Sequence, residues 1–318
     1  MKPTLAILQA HQERALADSP SAAAHFQCVC AREAIPLETD YIYTAHYTSR
    51  PVLKLLRGTD RPYVVHMQGD PWRQGLAAGR MRAVEEALHR AHGIIAISDH
   101  LARSVREHLP KVPIEVLPGF WGCDHTPLGI VPQFFRPRAA HGAVRLVLMQ
   151  MHQTHPLKPL GIPQFFEAIA SWRAHNLDTQ FLCIGNLGGS GRWRKWAAEY
   201  DCEFRETLPR PAWADLLRTA DIYAHPSLCD TWGRSIAEAM CCGVPVVAFC
   251  TGGIPEISDR LLLASPDEPR DILTQWAKCT DLFFRAQFGP ELRAEALKKT
   301  EQHRCAYADA LVRCLNPP

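Results

Sequence analysis

Through residues 1–117, short runs of β-branched and aromatic residues alternate with segments whose apolar positions recur every three to four residues. Residues 4–8, 41–44, 63–67, 94–98 and 114–117 read as buried strands, and 75–90 and 99–109 as amphipathic helices. Such alternation predicts a parallel sheet, since each crossover lays a helix on a sheet face. A Pro- and Gly-rich stretch at 118–142 interrupts the pattern. A second alternating set follows, with strands at 144–150, 181–184 and 222–225 and helices at 165–173, 193–200 and 214–219. The expectation is an α/β chain of two doubly wound domains, 1–138 and 139–300, with a last helix across 291–315 whose residues 301–318 return to the first domain.

Composition narrows the class. With 47% hydrophobic and 21% charged residues over 318 positions the chain is globular, and a net charge of +2 gives no reason to expect nucleic acid as a partner. No run approaches the 18 apolar residues of a membrane span, and the N-terminal segment meets charge too early for a signal peptide, so a cytoplasmic location is expected. Twelve cysteines in such a chain read as reduced thiols. Neither Cys28-x-Cys30 nor Cys241-Cys242 has metal-ligand spacing. A basic run at 50–61, interleaved with Val52, Leu53, Leu55 and Leu56, fits either a membrane-contacting helix or one packed on its own domain.

The most informative stretch is 225–257, HPSLCDTWGRSIAEAMCCGVPVVAFCTGGIPEI. Asp230 stands where an N-cap belongs, Thr231 to Ser235 form a first turn, Ile236, Ala239 and Met240 recur at helical spacing, and Gly243 ends the helix before a buried strand at 243–248. The backbone N–H groups of Trp232, Gly233 and Arg234 would then face an anion at the positive end of the helix, with phosphate the natural guest. Glu238 follows Asp230 by eight residues. On an ideal helix that is about 12 Å of rise and about 80° of rotation, so the two carboxylates would serve different ends of a long ligand such as a nucleotide-sugar.

This stretch resembles the E-x7-E motif of the retaining family 4 glycosyltransferases of the GT-B fold, with Asp230 and Glu238 in the acidic positions. Ala220-Asp221-Ile222, His225-Pro226-Ser227, the Gly-x-Pro-Val-Val run and Gly252-Gly253-Ile254-Pro255-Glu256 match as well. The resemblance implies two Rossmann-like domains facing across a cleft, the first shortened here. It implies Asp230 on hydroxyls of the transferred sugar, Glu238 on the donor ribose and Lys158 on the diphosphate. Thr231, Trp232, Gly233 and Arg234 would line the phosphate. His152 stands in the place of a family arginine, Gly185 and Asn186 follow a second-domain strand, and Leu208 lies where the base is met by backbone. In the first domain His66 or Gln68 occupies the position of a family histidine facing the donor sugar, and Gly69, Asp70 and Trp72 fall on the acceptor side. The Gly-Gly loop after the first strand is missing, since residues 7–13 hold no glycine, so the acceptor does not carry over.

The implied reaction moves a hexose-type sugar from a nucleoside-diphosphate sugar, UDP favoured over GDP, to an acceptor hydroxyl. Retention by a front-face route is expected, because no second carboxylate offers itself as the nucleophile of a double displacement. No metal and no other cofactor are expected, as the sequence lacks Asp-x-Asp and the positive groups would neutralise the leaving diphosphate. The alternatives are a sugar-nucleotide epimerase or phosphorylase of the same fold, or a non-catalytic sugar-nucleotide binder.

Overall fold

The computed structural model describes residues 2–8, 20–31, 34–45, 47–119, 146–150, 158–175, 178–185, 191–268 and 270–315. The chain divides into two units, Met1–Val131 with Lys299–Pro318, and Pro132–Lys298. The stretch in which the sequence pattern puts a boundary, near 139, lies outside the described residues.

The first unit is built on a six-stranded parallel sheet of β1 (Thr4–Leu8), β2 (Gln27–Ala31), β3 (Tyr41–Thr44), β4 (Tyr63–Met67), β5 (Gly93–Ala96) and β6 (Ile114–Val116), in the order β2-β1-β3-β4-β5-β6. Leu5, Ile7, Tyr43, Val64 and Ile95 from the sheet pack against Tyr307, Leu311 and Cys314 of the last helix. The approach is close enough to require a glycine. A Cβ on Gly93 would lie 2.5 Å from the Cys314 Cβ. The helix Arg50–Arg57 buries Val52, Leu53 and Leu56 in this unit and pairs Arg57 with Glu86, so its apolar stripe is spent on its own domain. Among the described residues no helix is long and apolar enough to cross a membrane.

The second unit holds β7 (Leu146–Gln150), β8 (Gln180–Ile184), β9 (Glu203–Arg205), β10 (Ile222–His225), β11 (Val246–Phe249) and β12 (Leu262–Ala264), parallel throughout in the order β12-β11-β10-β7-β8-β9. Its core gathers Phe165, Trp172, Phe181, Phe249 and Trp276. Strand order reverses between β7 and β10. In open α/β sheets the crevice beyond the carboxyl ends of such a pair is where ligands bind.

Periodicity missed three edge strands, β2, β9 and β12. β9 and β12 have three residues each, β9 with charge at two of them, and in β2 only Ala31 is buried, so no apolar alternation marks them. The last helix starts earlier than expected, running Leu282–Leu315 through Pro290. A proline forfeits a ladder bond, and packing outweighs that loss here. Gly289 and Gly243 meet backbone to backbone, since a Cβ on Gly289 would fall 2.6 Å from the Gly243 carbonyl, and Arg293 donates to the Cys241 carbonyl.

Candidate functional site

The carboxyl end of β10 delivers the chain into the loop that carries Asp230. Gly233, at φ +89°, turns the backbone left-handed and serves as N-cap of the helix Arg234–Cys241. This corrects the sequence expectation. Asp230 is not the cap, and the first turn is not Thr231 to Ser235, because a left-handed residue at 233 cannot lie inside an α-helix. The amides of Arg234 and Ser235 open the helix, while the Ile236 N–H already bonds the Gly233 carbonyl at 3.0 Å. Trp232 packs its ring into the interior and Thr231 is half-buried. The ideal-helix separation of the two acids therefore does not apply, since only Arg234 to Glu238 is helical.

Asp230 is held twice. Its carbonyl accepts the Gly253 N–H at 2.9 Å, and a Cβ on Gly252, where φ is +59°, would come within 2.2 Å of that carbonyl oxygen. Its carboxylate Oδ2 stands 3.2 Å from His225 Nε2. The acid is only 6% exposed. Glu238, 5% exposed, accepts the Trp213 Nε1–H at 2.7 Å, the satisfaction a buried carboxylate requires. Between the acids sits Tyr223, which donates to Ser235 Oγ at 2.8 Å and lies 3.2 Å from His225 Nδ1. Burial pushes its phenol well above the usual range; the Ser235 bond opposes the shift, and Glu238 and Asp230 add to it.

The turn that begins with Lys158 is brought to the same loop. Lys158–Gly161 forms a 3-10 turn, and a Cβ on Gly161 would lie 2.4 Å from the Pro226 carbonyl and 3.1 Å from Leu228 Cγ. Gly185 follows β8 and donates to the Arg205 carbonyl at 3.2 Å. Leu208 is half-buried just ahead of the helix Arg210–Leu217, which supplies Trp213. His152 and Asn186 lie outside the described residues.

In the first unit, His66 is 0% exposed, with Nδ1 3.0 Å from the Tyr43 hydroxyl and its ring beside Tyr307. The ring is thus buried in this unit, and Gln68-Gly69 follow it at the mouth of β4. Gly69 accepts the Tyr47 hydroxyl at 2.8 Å. Asp70 caps the turn Pro71–Arg73, accepting from Trp72 N at 3.0 Å and from the Ser104 hydroxyl at 2.7 Å. Trp72 stacks on His108 with ring centroids 4.0 Å apart and donates to Glu85.

Sequence reasoning passed over His225, Tyr223, Ser235 and Trp213 as site residues. The available signal was the spacing of Tyr223 and His225, two polar residues on one face of an otherwise apolar strand. Among the described residues, no three His, Cys, Asp or Glu side chains converge as a metal site needs, and the described cysteines are free thiols.

HepE of Anabaena, solved with UDP and glucose, superposes with a TM-score of 0.72 at 16% identity, covering 98% of this chain and 100% of that one. Sucrose-phosphate synthase of Thermosynechococcus elongatus gives 0.71 at 15% identity, covering 98% and 97%. The fold is that of the GT-B glycosyltransferases. Residues 152–280, which carry both acids and Lys158, match the family described as Glycosyl transferases group 1. The D-inositol 3-phosphate glycosyltransferase of Stackebrandtia nassauensis is 30% identical over 223 residues, 59% of this chain and 49% of that protein. The MMP alpha-(1->4)-mannosyltransferase of Mycolicibacterium hassiacum is 28% identical over 181 residues, 54% and 43% respectively. The GT-B chain thus spans about half the length of these curated relatives.

Proposed function

We propose that the protein is a retaining, family 4-like glycosyltransferase that moves a hexose-type sugar from a nucleoside-diphosphate sugar to an acceptor hydroxyl. The observation that carries the reading is the pairing of Asp230 and Glu238 beyond the switch point of the second sheet. Both carboxylates are buried, each is held by a named donor, and the turn of Lys158 packs against the same loop. Relatives named as glycosyltransferases support the reaction class, and HepE, solved with UDP and with UDP-glucose, supports UDP over GDP as the donor nucleotide.

In this mechanism Asp230 binds hydroxyls of the transferred sugar and Glu238 the ribose. The Lys158 ammonium and the amides opening the helix Arg234–Cys241 stabilise charge on the departing diphosphate, an electrostatic contribution of the kind that dominates when donors are preorganised. A leaving phosphate oxygen takes the acceptor proton as the new glycosidic bond forms on the same face, so the anomeric configuration is kept. No metal enters these steps.

The test is mass-resolved consumption of UDP-, GDP- and dTDP-sugars by the wild type and Asp230→Ala, with and without cell extract as acceptor source. A donor that loses its sugar only in the wild type and only with extract supports the transferase. Binding without turnover under every condition overturns it.

A further inference from the structure

His225 ends β10 as a wholly buried imidazole whose two nitrogens both meet polar partners. Nε2 is 3.2 Å from Asp230 Oδ2 and Nδ1 is 3.2 Å from the Tyr223 hydroxyl. A carboxylate only accepts, so Nε2 carries the hydrogen of that contact. Nδ1 faces the oxygen of the Tyr223 hydroxyl. Tyr223 in turn donates to Ser235 on the first turn of the helix that bears Glu238. One buried chain thereby runs from Asp230 through His225 and Tyr223 to the helix of the second acid.

A structural latch would use this contact to pin the loop, yet the backbone at 230 is already fixed. The Gly253 N–H bonds the Asp230 carbonyl, and Gly252 crowds it. What the backbone leaves undetermined is the direction of the carboxylate, and His225 Nε2 meets that carboxylate at 3.2 Å. The short side chain fits the arrangement, because a glutamate at 230 would carry its carboxylate a methylene beyond the 3.2 Å contact.

We propose that His225 is a positioning residue that sets the direction of the Asp230 carboxylate toward the transferred sugar, an inference that rests on the transferase reading above. Two near-isosteres separate its two contacts. The amide nitrogen of His225→Gln reaches where Nε2 stands and keeps a donor on Asp230, whereas that of His225→Asn reaches only where Nδ1 stands. The experiment measures kcat and KM for the donor that the wild type consumes, together with the affinity for the matching nucleoside diphosphate, which lacks the sugar.

His225→Asn is expected to lower kcat/KM about 10- to 100-fold, the loss that goes with a hydrogen bond to a charged group, while His225→Gln stays within about fivefold. Nucleoside-diphosphate affinity is expected to be unchanged in both. Equal losses in the two variants, or a parallel fall in nucleoside-diphosphate affinity, overturn the inference and leave a structural latch. If His225→Asn does not fold, Tyr223→Phe, which keeps the imidazole but removes the partner of Nδ1, is expected to lose about three- to tenfold in kcat/KM with nucleotide affinity intact; a wild-type rate in that variant overturns the inference. A wild type that turns over no donor overturns the transferase reading and this inference with it, whereas wild-type turnover with Asn and Gln alike overturns the inference alone.

Discussion

Replacing Gly252 with alanine tests whether the Gly252-Gly253 turn holds the proposed sugar-binding acid. Two costs add. At φ +59° an alanine meets the left-handed penalty, about 1–2 kcal/mol. Its Cβ would also lie 2.2 Å from the Asp230 carbonyl oxygen, a backbone atom that cannot swing aside as a flexible side chain would. Relief requires the Asp230 backbone to retreat by roughly an ångström, breaking the 2.9 Å bond from Gly253 and forfeiting about 0.5–1.5 kcal/mol. The sum is about 1.5–3.5 kcal/mol, or a fall of about 4–10 °C in the melting of the second unit. Gly75→Ala supplies the comparison, because its φ is +64° but nothing lies within 4 Å of the added carbon, so only the left-handed penalty applies. Scanning calorimetry of both variants measures the difference, and donor consumption measures the effect on Asp230, where a displacement of about 1 Å is expected to cost about 100-fold in rate. If Gly252→Ala loses no more stability than Gly75→Ala and transfers sugar at the wild-type rate, the turn does not position Asp230 and the reasoning fails.

Trp213→Phe removes the indole donor from buried Glu238 and is expected to cost about 1.5–3 kcal/mol of stability and to weaken UDP binding about tenfold by titration calorimetry. A lower melting temperature with unchanged UDP affinity would detach Glu238 from the nucleoside. Lys158→Met keeps side-chain length without the ammonium and is expected to cut kcat about 100-fold or more with donor KM little changed; an unaltered kcat would remove Lys158 from the leaving group. Burial and the neighbouring Lys299 push the His303 imidazole down from 6.5 to about 4, against the opposing Pro118 carbonyl. The unfolded chain then binds a proton that the folded one does not, so this contribution to stability is complete above pH 6.5 and is lost as pH falls to about 4. Chemical denaturation across that window should show a shallower slope for His303→Gln than for the wild type.

The doubly wound character of both units was legible from periodicity, because buried parallel strands such as 5–8, 94–97 and 246–249 are continuous apolar runs. The loop that carries Asp230 and the helix that carries Glu238 were legible too, since the residues from His225 to Glu256 form one local unit. Local pattern could not say that Gly233 is left-handed, so it moved the helix start by three residues and misjudged how the acids are separated. Nor could it say that Tyr43 and Tyr307, far away in the chain, pack beside His66.

The sequence by itself determined the central strands of both sheets and the segment that bears both acids, because each follows from the spacing of side chains along one stretch of chain. Only the tertiary structure decided what each polar group does. Trp213 reaches Glu238 from another helix, Gly252 packs on Asp230 from beyond the next strand, and Gly289 meets Gly243 through a helix that local propensity would end at Pro290. Partners such as these lie far apart in the chain, and no local pattern specifies them.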